Sequence, residues 1–99
     1  MFIHLVLFKI KAKNVPIYVN DCKLWGKEAK RHGGFIGTHT LFRTNAKGHY
    51  ASFYMWKKEE HHARFMKKHH DRLVSLSRCP VEVLGYYNFT TSPERKRKS

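Results

Sequence analysis

Over the first ten residues, apolar side chains occupy both faces of an extended chain. Phe2, His4, Val6, Phe8 and Ile10 share one face; Ile3, Leu5 and Leu7 share the other, which turns polar at Lys9 and Lys11. Side chains of a strand alternate between faces, so this pattern predicts a strand over Phe2–Ile10 that is covered on both sides. From Val15 the period changes. Val15, Tyr18, Cys22, Trp25 and Ala29 recur at three- and four-residue steps, the spacing of one amphipathic helix. Asn14 is placed to cap it, Pro16 sits in its first turn where a missing N–H does no harm, and Gly33-Gly34 ends it. Phe35–Arg43 and His49–Trp56 read as two strands around the turn Thr44–Gly48, a hairpin. A second helix is predicted from about Lys58 to Leu76, and a last strand, opened by Pro80, over Val81–Phe89.

The order β-α-β-β-α-β predicts an α+β, ferredoxin-like fold, with two helices on one face of an antiparallel four-stranded sheet. The folded unit is expected over residues 1–91. Residues 92–99, "SPERKRKS", have nothing to bury and are expected to form a disordered basic tail. The helices can cover only one sheet face. The other, carrying Ile3, Leu5 and Leu7, needs a partner that one short chain does not supply, so a homodimer is expected.

Composition narrows the setting. Ninety-nine residues make one domain. Twenty Lys and Arg against seven Asp and Glu give a net charge of +13, which attracts polyanions and steers anionic ligands without specifying a fold. Two cysteines, Cys22 and Cys79, stand far apart in no CxxC pattern, which suits free thiols in a reducing compartment. The apolar start, Met1 to Phe8, has no basic leader and no cleavage site and is too short to cross a bilayer. A cytoplasmic protein without a membrane partner is expected.

The candidate chemistry lies in "WKKEEHHARFMKKHHDRLVSL", residues 56–76, which holds two adjacent histidine pairs, His61-His62 and His69-His70. At about 100° per residue, and with Phe65 at zero, the apolar stripe of Phe65, Met66, Leu73 and Leu76 centres at about 60°. On that wheel His62 falls at about 60° and His69 at about 40°, both on the stripe. His70, at about 140°, and His61, at about −40°, fall on its two borders. His62 and His69 are two turns apart, roughly 10 Å along the axis, too far to share an ion easily, and no cysteine or carboxylate accompanies them. No metal centre is expected there. Two readings remain. In one, the inward histidines are hydrogen-bonded members of the core. In the other, His62 and His69 converge with His4, the one polar residue on its strand face, in a mostly apolar pocket for a small molecule. Tyr18 and Trp25 lie nearby, His70 stands at the rim and His61 faces solvent. Histidine is the side chain best suited to move a proton near neutral pH.

The segments "MFIHLVLFKIK", "GGFIGTHTLFR", "HYASFYMWKKEEHHARFMKKHHDRL" and "VEVLGYYNF" resemble the antibiotic-biosynthesis-monooxygenase and stress-responsive dimeric α/β-barrel superfamily. The resemblance covers nearly the whole chain except the tail. It implies ferredoxin-like subunits whose sheets close into a dimeric barrel, with a small-molecule cavity between sheet and helices. In polyketide-cyclase-like members a strand-one His and a His late in the second helix act on a phenolic substrate, which implies roles for His4 and for His69 or His70. Haem-degrading members use a strand-one Asn, a Trp and a helical His. Trp56 resembles that Trp, but His4 replaces the Asn, which argues against haem degradation. The implied activity is cofactor-free oxygenation or cyclisation of an aromatic ligand. On this reading the catalytic candidates are His4, His62 and His69, the substrate-binding candidates Tyr18, Trp25, Trp56 and His70.

The same element order also describes the RNA-recognition fold, and +13 makes nucleic acid the alternative partner. Its strand-three signature is only partly met by "KGHYASFYMW": Lys47-Gly48 fits, but His49 is inserted and Ser52 stands where a stacking aromatic belongs. RNA would stack on the sheet face away from the helices, the face a barrel dimer buries.

Overall fold

A computed structural model describes residues 1–91; the expected basic tail lies outside the described residues. Strand β1 (Phe2–Lys9) is followed by a 3₁₀ turn (Ala12–Asn14) and helix α1 (Val15–Ala29). Strands β2 (Phe35–Phe42) and β3 (His49–Trp56) form the hairpin, helix α2 (Glu59–Leu76) crosses back, and β4 (Glu82–Thr90) closes the unit. The sheet is antiparallel in the order β2-β3-β1-β4. The fold is the α+β ferredoxin-like arrangement that the hydropathy pattern predicts.

The local rules hold with two exceptions: the N-cap and the stop of α1. Asn14 does not cap α1. Its backbone is already helical (φ −94°, ψ −4°) and its side chain makes no capping bond, because the 3₁₀ turn runs straight into the helix. Glu59 and Glu60 place negative charge in the first turn of α2, where the helix dipole favours it. α1 ends at Ala29 with Lys30 as its C-cap, before Gly33-Gly34; Gly34, with φ +89°, instead supplies the left-handed turn that leads the connection into β2.

β1 and β3 are the central strands. Cross-strand pairs His4–Tyr54, Val6–Ser52 and Phe2–Trp56 put these residues on the helix-covered face. Ile3, Leu5 and Leu7 pair with Met55, Phe53 and Ala51 on the opposite face. The core is concentrated at one end of the helix-covered face, where Phe2, Ala29, Trp56, Phe65 and Leu73 are buried together. The other end, above Val6 and Phe8, is not filled. Edge strand β4 carries side chains there, such as Val83 and Tyr86, that remain 41% and 65% exposed. The hollow beneath α1 and α2 therefore opens toward β4.

Candidate functional site

That hollow is a cavity of about 420 Å³ walled by the sheet on one side and by both helices on the other. β1 contributes His4, Val6 and Phe8; β3 contributes Ser52, Tyr54 and Trp56; α1 contributes Tyr18, Cys22 and Trp25; α2 contributes His62, Met66 and His70. Its volume is in the range of small-molecule sites, and an apolar lining with a few convergent polar groups is their usual form.

His4 is the buried polar residue of the strand-one face, 8% exposed. Its Nδ1 lies 2.7 Å from Asn88 Oδ1, on the residue that β4 sets opposite it in register. A carboxamide oxygen only accepts, so His4 Nδ1 donates, and in the neutral ring Nε2 keeps its lone pair. The His62 ring stands 4.4 Å from that of His4, centroid to centroid, tilted by 33°. Burial, and then the neighbouring His4 imidazole, push the His62 pKa down to about 4. At neutral pH it is therefore an uncharged imidazole beside another imidazole that Asn88 holds in one tautomer. Such a pair can take up a proton from an acidic ligand.

At the base of the cavity, the Tyr18 hydroxyl is 2.5 Å from Ser52 Oγ, and Cys22 Sγ is 3.3 Å from the same oxygen. Burial raises Tyr18 far above the ordinary phenol range, so it stays protonated. Trp25 Nε1 donates to Ser77 Oγ at 2.8 Å, which fixes the indole against the cavity roof. Trp56 is fully buried in the core as well as lining the cavity, and its Nε1 has no hydrogen-bond partner among the described residues. Asp21 accepts from the backbone N–H of Arg78 (3.0 Å to each oxygen) and of Cys79 (2.8 Å), which ties the segment before β4 to α1.

The structure brings together six of the seven residues expected at the site: His4, Tyr18, Trp25, Trp56, His62 and His70. His70 is at the rim, its ring edge-on to Trp25 with centroids 6.0 Å apart. His69 is not part of the cavity. Its ring packs on Phe65 and His32 instead, at 5.5 and 4.6 Å. The apolar stripe of α2 is two ridges wide. Residues at four-residue steps, His62, Met66, His70 and Val74, line the cavity. On the neighbouring ridge Phe65 borders the cavity too, and with His69 it packs against His32 just beyond the C-terminal end of α1. A helical wheel places both ridges inward but does not say what each one meets. His61 is also not a solvated residue. It is half-buried with its ring against Gly34, and its Nδ1 is buried without a partner among the described residues.

Sequence reasoning misses Asn88 and Ser52 as members of the site. Both lie on inward positions of strands, but their pairing with His4 and Tyr18 depends on register and on the placement of α1.

No family model and no curated protein matches the sequence. Solved structures do match the fold. A cofactor-independent oxygenase, SnoaB from Streptomyces nogalater, superposes with a TM-score of 0.68 at 14% identity, covering 94% of this chain and 97% of that one. This chain has the fold of the antibiotic biosynthesis monooxygenases. A structure of that description matches with a TM-score of 0.67 at 14% identity, over 94% of this chain and 100% of the other. MupZ from Pseudomonas fluorescens matches with a TM-score of 0.72 at 7% identity, over 88% of this chain and 69% of that one. Among the described residues no helix is long and apolar enough to cross a membrane.

Proposed function

We propose that this protein is a member of the antibiotic-biosynthesis-monooxygenase superfamily that binds a small aromatic ligand, phenolic or quinonoid, and acts on it by proton abstraction. The observation that carries the reading is His4, oriented by Asn88 and set against a neutral His62 in the wall of an apolar cavity. His4 Nε2 is the general base, and His62 is the neighbouring imidazole that shares the ligand's polar edge. Tyr18, Trp25, Trp56 and His70 bound the ring system. Removal of a proton from a phenol with an activated CH₂ group gives an electron-rich anion. With dioxygen as co-reactant, the CH₂ carbon becomes a carbonyl and one molecule of water leaves, with no cofactor required for the balance. Without dioxygen, on a ligand that also carries a ketone, the same carbanion would add to the ketone carbon, whose C=O π bond opens to a hydroxyl that takes up the abstracted proton. Incubation with hydroxylated anthrone- and naphthol-type compounds tests this: oxygen uptake with gain of one oxygen and loss of two hydrogens supports oxygenation. Absence of binding by any such ligand contradicts the reading.

A homodimer belongs to this proposal. The sheet face away from the helices carries Ile3, Leu5, Leu7, Phe53 and Met55 at its centre, with Tyr87 45% and Phe89 52% exposed beside them. A large contiguous apolar face of this kind marks an interaction surface. Between Ile3 and Leu7 it presents no cation on β1, which favours a second copy over a nucleic-acid backbone. The free thiols Cys22 and Cys79 fit a cytoplasmic location.

A further inference from the structure

A second cluster of ligating side chains lies on the neighbouring ridge of α2, outside the cavity. Glu28 in the last turn of α1, His32 just beyond its end and His69 of α2 are all half-buried. One donor atom from each lies within 4.8 Å of the others. The His32 and His69 rings meet at 74° with centroids 4.6 Å apart, and Phe65 packs against both, giving the group an apolar floor. Arg72 reaches into the same space. Its Nη2 is 2.6 Å from Glu28 Oε1 and 2.8 Å from His69 Nδ1. A guanidinium nitrogen only donates, so His69 Nδ1 must offer its lone pair toward the point that the Glu28 carboxylate also faces. A single cationic nitrogen thus already occupies the space between two of the three donors.

We propose that Glu28, His32 and His69 form a binding site for a divalent transition metal of the zinc class, with Arg72 as the resident cation that the metal displaces. Two imidazoles and one carboxylate are a donor set that zinc accepts with a fourth position open to water, whereas calcium and magnesium require mainly oxygen donors. Tetrahedral ligands about 2.0–2.1 Å from zinc stand about 3.3 Å apart, so the donors must draw closer than their present spacing. The Arg72 side chain is 49% exposed and can swing into solvent to permit this. Arg31, 3.6 Å from Glu28, adds positive charge that weakens the site and favours modest affinity.

Zinc chloride titrated into the full-length protein by calorimetry, with imidazole NMR shifts as the second readout, tests the proposal. Wild type should bind one ion per chain with His32 and His69 resonances perturbed. Arg72→Met, which keeps the packing and removes the competing cation, should bind about tenfold more tightly or better. The His32→Gln/His69→Gln double variant should lose the binding, and His39→Gln, at an exposed position on β2, should keep it. Equal affinity in wild type and Arg72→Met, or binding retained by the His32/His69 variant, overturns the proposal. X-ray absorption of the zinc-loaded wild type, which needs no variant to fold, should show two imidazole nitrogens; a shell without them overturns it equally.

Discussion

His4 of β1 and His62 of α2 stand ring against ring across the interface of sheet and helix, 4.4 Å between centroids, and Asn88 of β4 holds the first of them by its Nδ1. Three elements that are remote in sequence thus meet in one polar cluster on an apolar wall. A general base of the kind proposed for His4 typically contributes a factor of about 10²–10⁴. His4→Ala should therefore reduce turnover of an accepted phenol by about that factor while oligomeric mass is unchanged. Asn88→Ala should reduce it less, because it frees the tautomer without removing the base. Equal rates for wild type and His4→Ala would contradict the assignment.

Acid should weaken the fold through His62. Its folded value is about 4 against an ordinary 6.5. Between those values the unfolded chain binds more protons, so stability is fully present above about pH 6.5 and falls as the pH drops toward 4. Burial, and then the neighbouring His69 ring and Lys68, lowers His32 in the same direction. Melting temperatures at pH 7 and pH 5 should differ more for wild type than for His62→Gln, which cannot take up the proton. Parallel losses in the two proteins would show that His62 is not a source.

Gly34 and His61 are coupled. Gly34 has φ +89°, and a Cβ there would run into the His61 ring. A left-handed non-glycine residue costs on the order of 1–3 kcal/mol, and the steric conflict adds to it. Gly34→Ala should destabilise the protein by at least that order in denaturant titration. Adding His61→Ala should recover only the steric part. Strict additivity of the two substitutions would mean that they do not touch.

Here the limits of sequence reading are physical. The strands, both helices and the hairpin follow from periodicity that survives into the fold, and His4 and His62 are found by the simple rule that a polar residue on an apolar face needs a reason. His69 and His61 fail under the same rule. Their wheel positions are correct, but His69 meets His32, which lies in no periodic segment, and His61 is enclosed because Gly34 has no side chain. Asn88 is invisible until the β1–β4 register is known, and a bulge between Leu7 and Phe8 shifts that register along the strand.

Asp21 should be a stability residue. Its carboxylate accepts from two backbone N–H groups before β4, and hydrogen bonds to a charged group contribute about 1.5–3 kcal/mol. Asp21→Ala should cost on that order, and the mouth of the cavity should loosen, seen as faster amide exchange at Arg78 and Cys79. Unchanged exchange there would contradict the tether.

The central claim is that the His4–His62 pair faces a bound aromatic ligand. Long-range ¹H–¹⁵N spectra of the imidazoles, recorded while a panel of phenols and hydroxyquinones is titrated, test it most directly. At least one compound should bind saturably, one per chain, and move the His4 and His62 ring nitrogens together while His61 stays in place. The same compound should bind His4→Ala more weakly. Saturable binding that leaves both rings unmoved, or a panel that never binds, would contradict it.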